Sequence, residues 1–172
     1  MSKANLYISL RFLFITLFQV LILQRISLEW AAFPYLNIFL YPALLFLLPL
    51  NTKRPAQFFI AICLGLIIDM FYDSPGVHAG ACVFTIYLRP HVLRMIEPKG
   101  GYLNNSHALS NMGPLWLMRY CSILLPPHLL VYFLLEAFSF AGFGSTLLKI
   151  VVSYGLSMFF IGIFIAVFQR KG

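Results

Sequence analysis

Apolar residues fall in six long blocks along this chain, and Lys and Arg collect in alternate gaps between them. The blocks cover residues 5–24, 36–51, 55–73, 77–95, 116–140 and 146–168. A helix of about 20 apolar residues spans the hydrocarbon of a bilayer. The pattern therefore predicts an all-α membrane protein, a compact bundle of six transmembrane helices in one domain over residues 1–172. Lipid accepts only helices or closed barrels, because it offers backbone groups no partner. Residues 40–50 and 151–168 lack the alternation a barrel strand needs, so helices are expected.

Charge supports an even number of crossings. Lys3, Lys53, Arg54, Arg89, Arg94, Lys99, Arg119, Arg170 and Lys171 share one side if both termini are cytoplasmic, and Arg11 lies in the inner half of the first block. Only Arg25 and Lys149 fall on the far side. Cytoplasmic loops collect Lys and Arg in this way. Composition agrees: 61% of residues are hydrophobic and 10% charged, against about 25% charged in a soluble domain. The net charge of +7 is dispersed among apolar blocks, without the basic stripe a nucleic-acid face requires, so membrane lipid and not nucleic acid is the expected surrounding. The first block is too long for a signal-peptide core and no small-residue cleavage site follows it, so it is expected to be retained. Cys63, Cys82 and Cys121 stand singly in apolar segments and read as packing residues.

Proline and glycine punctuate the blocks. Pro42 and Pro49 predict a short, kinked second span, and Pro55 suits the start of the third. Trp30 and Tyr35 suit an interfacial belt. Residues 96–114 form the one long polar segment, closed by Pro114 at the start of the fifth span. Pro126 and Pro127 are expected to bend that span, and residues 142–145 to make the last outer turn.

Acidic residues at membrane depth are costly unless they face protein or water. Asp69 lies near the outer end of the third span, one turn before Asp73, with His78 at similar depth on the next helix. It is an ion or proton site, a polar contact with a partner helix, or a hydrogen bond fixing the turn to the fourth span. Glu136 and Lys149 flank the last turn at similar depth and read as a polar pair. His128, beside the two prolines, reads as a packed, hydrogen-bonded histidine. No metalloprotease helix, nucleophile elbow or phosphate-binding loop is present, and His78, His91, His107 and His128 sit on separate elements. Neither an enzyme nor a metal or cofactor is expected.

The stretch Gly65-Leu-Ile-Ile-Asp69-Met-Phe-Tyr-Asp-Ser-Pro-Gly76-Val-His78-Ala79 resembles the signature of the rod shape-determining MreD family. Tyr87-Leu-Arg89-Pro90-His-Val-Leu-Arg94 is similar to the inner end of that family's fourth helix. His128 to Phe140 is similar to its fifth, and length and span count agree. The resemblance implies a fold like the substrate-binding subunits of energy-coupling-factor transporters. It also implies a role without a reaction: a bacterial inner-membrane scaffold or regulator of the cell-wall elongation complex. The expected partner is MreC, and through it MreB, RodA and a class B penicillin-binding transpeptidase. Gly65, Asp69, Gly76, His78 and Ala79 would then set the geometry of the third and fourth helices.

A second reading is a substrate-binding membrane subunit of a small-molecule, vitamin-type transporter. Asp69, His78, Glu136 and Lys149 could supply its polar pocket. Selective stabilisation by one vitamin would favour that reading and co-purification with MreC the scaffold, for which residues 96–114 are the candidate site of cytoplasmic contacts.

Overall fold

Two prolines seven residues apart break the second apolar block instead of kinking it. The computed structural model describes residues 12–24, 37–98, 102, 109, 112–137 and 143–168. Six helical elements occur among these residues, and no strand does. Helix α1, Phe12–Leu23, ends in a π-helical turn over Gln19–Leu23, where the Gln24 N–H donates to the Gln19 carbonyl. Helix α2 is only Pro42–Phe46. Pro42 supplies its first turn, and Pro49 has no N–H to extend it. Residues 37–40 before it are not helical, although almost the whole of 38–48 is buried. The expectation of a short, kinked spanning helix over 36–51 is thus corrected: the helix there is confined to Pro42–Phe46.

The remaining helices follow the apolar blocks closely. Helix α3 spans Arg54–Tyr72 with Pro55 in its first turn, α4 spans Val77–Met95, α5 spans Pro114–Ala137 and α6 spans Phe143–Phe168. Helix α4 continues through Pro90, and α5 through Pro126 and Pro127, where the sequence suggested an interruption. Helix α6 begins at Phe143, inside the stretch expected to be a turn. Lys3, Arg11, Arg25, Trp30, Tyr35, Lys99, His107, Gly142, Arg170 and Lys171 lie outside the described residues.

From α3 onward each helix packs on the next in chain order, and α2 lies against α4 and α5. The short turn at residues 73–76 makes α3 and α4 antiparallel neighbours. The interior is aromatic: Phe39, Tyr41, Phe46, Tyr120 and Phe133 are all buried. The outside is apolar as well. Phe59 and Met70 on α3, and Val151, Phe159 and Val167 on α6, are more than half exposed.

Helices α3, α5 and α6 are long and apolar enough to cross a membrane, with mean hydropathies of 1.8, 1.4 and 2.4 over their candidate spans. Helix α4 equals α3 in length, at 19 residues, but carries His78, Arg89, His91 and Arg94. The protein is all-helical among the described residues and has the character of a membrane protein.

Candidate functional site

The α3–α4 turn is organised by one carboxylate. Helix α3 ends where Asp73 takes a left-handed conformation (φ 49°), and Gly76 does the same (φ 86°) just before α4. Short polar residues and glycine tolerate that region. The reversal points the first N–H groups of α4 back at Asp69, which is 5% exposed. Its Oδ2 accepts from the Gly76 and Ala79 N–H groups, both at 3.1 Å. Its Oδ1 accepts from the His78 N–H at 2.9 Å, from the Ser74 hydroxyl at 3.0 Å and from His78 Nδ1 at 2.9 Å. Helix starts leave their first N–H groups without intrahelical partners and carry partial positive charge. Asp69 satisfies both needs from the neighbouring helix. The His78 Nδ1 also faces Ser74 Oγ at 2.9 Å.

His78 is fully buried among rings. Those of Tyr72 and Tyr132 stand 4.8 Å away, and those of Tyr41 and Phe39 at 5.6 and 6.3 Å. The His78 Nδ1 donates to Asp69, and among the described residues its Nε2 has no hydrogen-bond partner.

A second network holds the irregular backbone before α2. The Gln19 carboxamide uses all of its bonding capacity. Its Nε2 donates to the Ile38 carbonyl (2.9 Å) and the Tyr72 hydroxyl (2.8 Å), and its Oε1 accepts from the Leu40 and Tyr41 N–H groups (2.7 and 3.3 Å). The Phe39 N–H donates to Ser157 Oγ on α6 at 2.8 Å. Non-helical backbone survives at membrane depth only where such partners exist. The π-turn of α1 falls at this same glutamine.

His128 is the packed histidine expected. The Thr85 hydroxyl donates to the Ala81 carbonyl at 2.8 Å, so its oxygen accepts from His128 Nδ1 at 2.7 Å. That assignment leaves Nε2 to accept from the Tyr41 hydroxyl at 2.8 Å. The chain of bonds ties α2 to α4 and α5.

Arg89, one of the basic residues expected on the cytoplasmic side, is turned inward. It is 2% exposed, donates to the Leu48 carbonyl after α2, and donates to Gln57 Oε1 at 3.3 Å. Gln57 passes the link to the Thr52 carbonyl at 2.7 Å. No carboxylate pairs with Arg89 among the described residues. Gln19, Gln57, Thr85, Arg89 and Ser157 were not singled out as site residues. The available signal was that each is a polar side chain inside an apolar block, where it must find a partner.

Glu136 and Lys149 do meet across α5 and α6, at 3.9 Å, but 39% and 32% of their side chains stay exposed. Tyr132 donates to Glu136 at 3.4 Å, and the Lys149 ammonium lies 6.0 Å from the Phe133 ring centre. Tyr132 links this pair to the Asp69 knot, since its ring stands 4.8 Å from that of His78.

The chemistry of these groups is mutual bonding. Asp69, Gln19, His128 and Arg89 each tie backbone or side chains of different elements together. No three His, Cys, Asp or Glu side chains converge as metal ligands among the described residues. Compared with models of protein families, with curated proteins and with solved structures, the chain matches none.

Proposed function

We infer that this chain is an integral membrane scaffold or regulator of the bacterial cell-wall elongation complex, a protein of the MreD type that acts through MreC. The observation that carries the reading is the inward bonding of Asp69. Residues of the MreD-like signature build one rigid helix reversal: the Asp69 carboxylate takes five donors from Ser74, Gly76, His78 and Ala79, and Gly65 touches Ala79. A charge consumed by structure suits a protein that works by presenting helix faces to others. In this reading all six apolar blocks cross the inner membrane, both termini and the 96–114 segment are cytoplasmic, and no reaction is catalysed. MreB, RodA and the class B penicillin-binding transpeptidase are reached through MreC.

The test is affinity purification of the tagged chain from bacterial membranes. Recovery of MreC with it, lost on a change that opens the Asp69 knot, supports the scaffold.

The broken second segment favours one further reading, the vitamin-type transporter subunit with its energy-coupling-factor-like fold. Discontinuous helices commonly line transporter sites, and residues 37–41 approach His78 and His128 through Phe39 and Tyr41. Selective thermal stabilisation of the detergent-purified chain by one vitamin would favour this reading. Stabilisation by none, together with MreC recovery, favours the scaffold.

A further inference from the structure

One end of the helix bundle carries an exposed basic and aromatic stripe that the scaffold role does not use. Tyr87, His91 and Arg94 of α4 recur at helical spacing on one face, and all three are exposed. The Tyr87 side is 56% exposed. His91 is oriented by its Nδ1, which donates to the Tyr87 carbonyl at 3.3 Å, with the two rings 5.6 Å apart. Helices α3 and α5 bring further cations to the same end. Gln57, in the first turn of α3, bonds Arg89 near the end of α4, so exposed Lys53 and Arg54 stand there too. Trp116, in the first turn of α5, donates its indole N–H to the Ile96 carbonyl at 3.2 Å, which places exposed Arg119 one turn further in. Glu97 is the one described acid at this end.

On the inward face of α4, opposite the stripe, Arg89 is buried with no carboxylate partner among the described residues. Low dielectric screens its charge poorly, so it raises the positive potential at this end of the bundle. The depth of the stripe identifies the occupant. Tyr87 precedes the end of α4 by eight residues, about 12 Å along the axis at the helical rise. Apolar Met95 and Leu115 beside it are each 67% exposed. An acidic protein segment or a free anion would meet the outer cations but not the tyrosine and the apolar flank. A lipid with a phosphate head and acyl chains meets both.

We propose that Tyr87, His91 and Arg94, at the end of the bundle that also carries Lys53, Arg54 and Arg119, bind the headgroup of an anionic phospholipid. The site rests on the chain being embedded in lipid and not on the elongation role.

The test is native mass spectrometry of the full chain in detergent, titrated with phosphatidylglycerol or with phosphatidylcholine of the same acyl chains. Phosphatidylglycerol should be retained preferentially. Arg94→Gln and Arg119→Gln should each lower that retention roughly fivefold, the effect of one cation near an anionic headgroup. Both residues are exposed, so melting temperatures should hold, and Lys149→Gln on the Glu136 pair should leave retention unchanged. Raising the salt on the unaltered chain should erase the preference, a readout that needs no variant. Equal retention of the two lipids, variants that retain phosphatidylglycerol fully, a salt-independent preference, or displacement of the lipid by millimolar inorganic phosphate would each overturn the assignment.

Discussion

Gly65 of α3 and Ala79 of α4 are in backbone contact: a Cβ on Gly65 would lie 2.3 Å from the Ala79 Cα and 2.6 Å from its nitrogen. Small residues let helices approach this closely in a membrane. The approach also brings Asp69, one turn further along α3, within reach of the α4 N-terminus. Gly65→Ala must push the two helices apart, since the obstruction is backbone. A loss of about 3 kcal/mol is expected, read as a fall in thermal unfolding temperature in detergent. Gly80→Ala is the control. There a Cβ meets only the Leu135 Cδ1, at 2.8 Å, and a flexible side-chain end can turn away at a cost below about 1 kcal/mol.

Asp69→Asn keeps the shape of the side chain and removes its charge. The carboxamide has one acceptor oxygen for five donors, and its NH2 would face N–H groups. Charge-assisted bonds are the stronger class, so a destabilisation of about 3 kcal/mol is expected, with Ser74→Ala costing about 1 kcal/mol for its single bond to the carboxylate. If the chain is the elongation scaffold proposed above, Asp69→Asn should yield rounded cells at normal protein level. Normal rods with unchanged unfolding temperature would remove the structural role assigned to the charge.

Gln19 should matter more than its place in a long apolar block suggests. Gln19→Leu leaves the Ile38 carbonyl and the Leu40 and Tyr41 N–H groups without their side-chain partner, at about 3 kcal/mol for the group. Gln19→Glu should be no better, because a carboxylate cannot donate to the Ile38 carbonyl. Hydrogen exchange at the Leu40 and Tyr41 amides checks both, and exchange should rise in each variant while the α5 amides stay protected.

The helices α3 to α6 were legible because their apolar blocks are long, and proline marks the first turns of α3 and α5. The second block misled. Apolar content alone cannot tell a spanning helix from a buried irregular segment, and what decides here is distant: Gln19 and Ser157 supply the bonds that a helix would otherwise make internally. The Asp69–His78 contact could be read from spacing, since a short turn returns the chain to the same depth. Arg89 could not. Near a helix end it reads as a solvent-facing charge, and only the fold shows that the segment after α2 covers it.

The contact between Glu136 and Lys149 should be energetically small. The ions are 3.9 Å apart and about a third exposed, and such pairs are worth below about 1 kcal/mol. In a double-mutant cycle, Glu136→Gln and Lys149→Gln should therefore couple by less than about 1 kcal/mol in unfolding free energy. A larger coupling would mean that lipid or a partner dehydrates the pair in its working state.

Tyr102 gives the alkaline side of the stability profile. Its hydroxyl donates to the Leu93 carbonyl, and its ring stands edge-on to Trp116 at 6.1 Å. Burial, with Glu97 nearby adding to it and Arg89 opposing, pushes its pKa up to about 12. An unfolded tyrosine ionises near pH 10. The folded chain therefore holds a proton that the unfolded chain releases between those two values. The contribution of Tyr102 is complete below about pH 10 and is lost as pH rises toward 12. Tyr102→Phe should lower stability by about 1 kcal/mol at neutral pH, the value of one hydrogen bond, and should flatten the fall in unfolding temperature above pH 10. An alkaline slope identical in the two proteins would place the Tyr102 hydroxyl in water instead of on the Leu93 carbonyl.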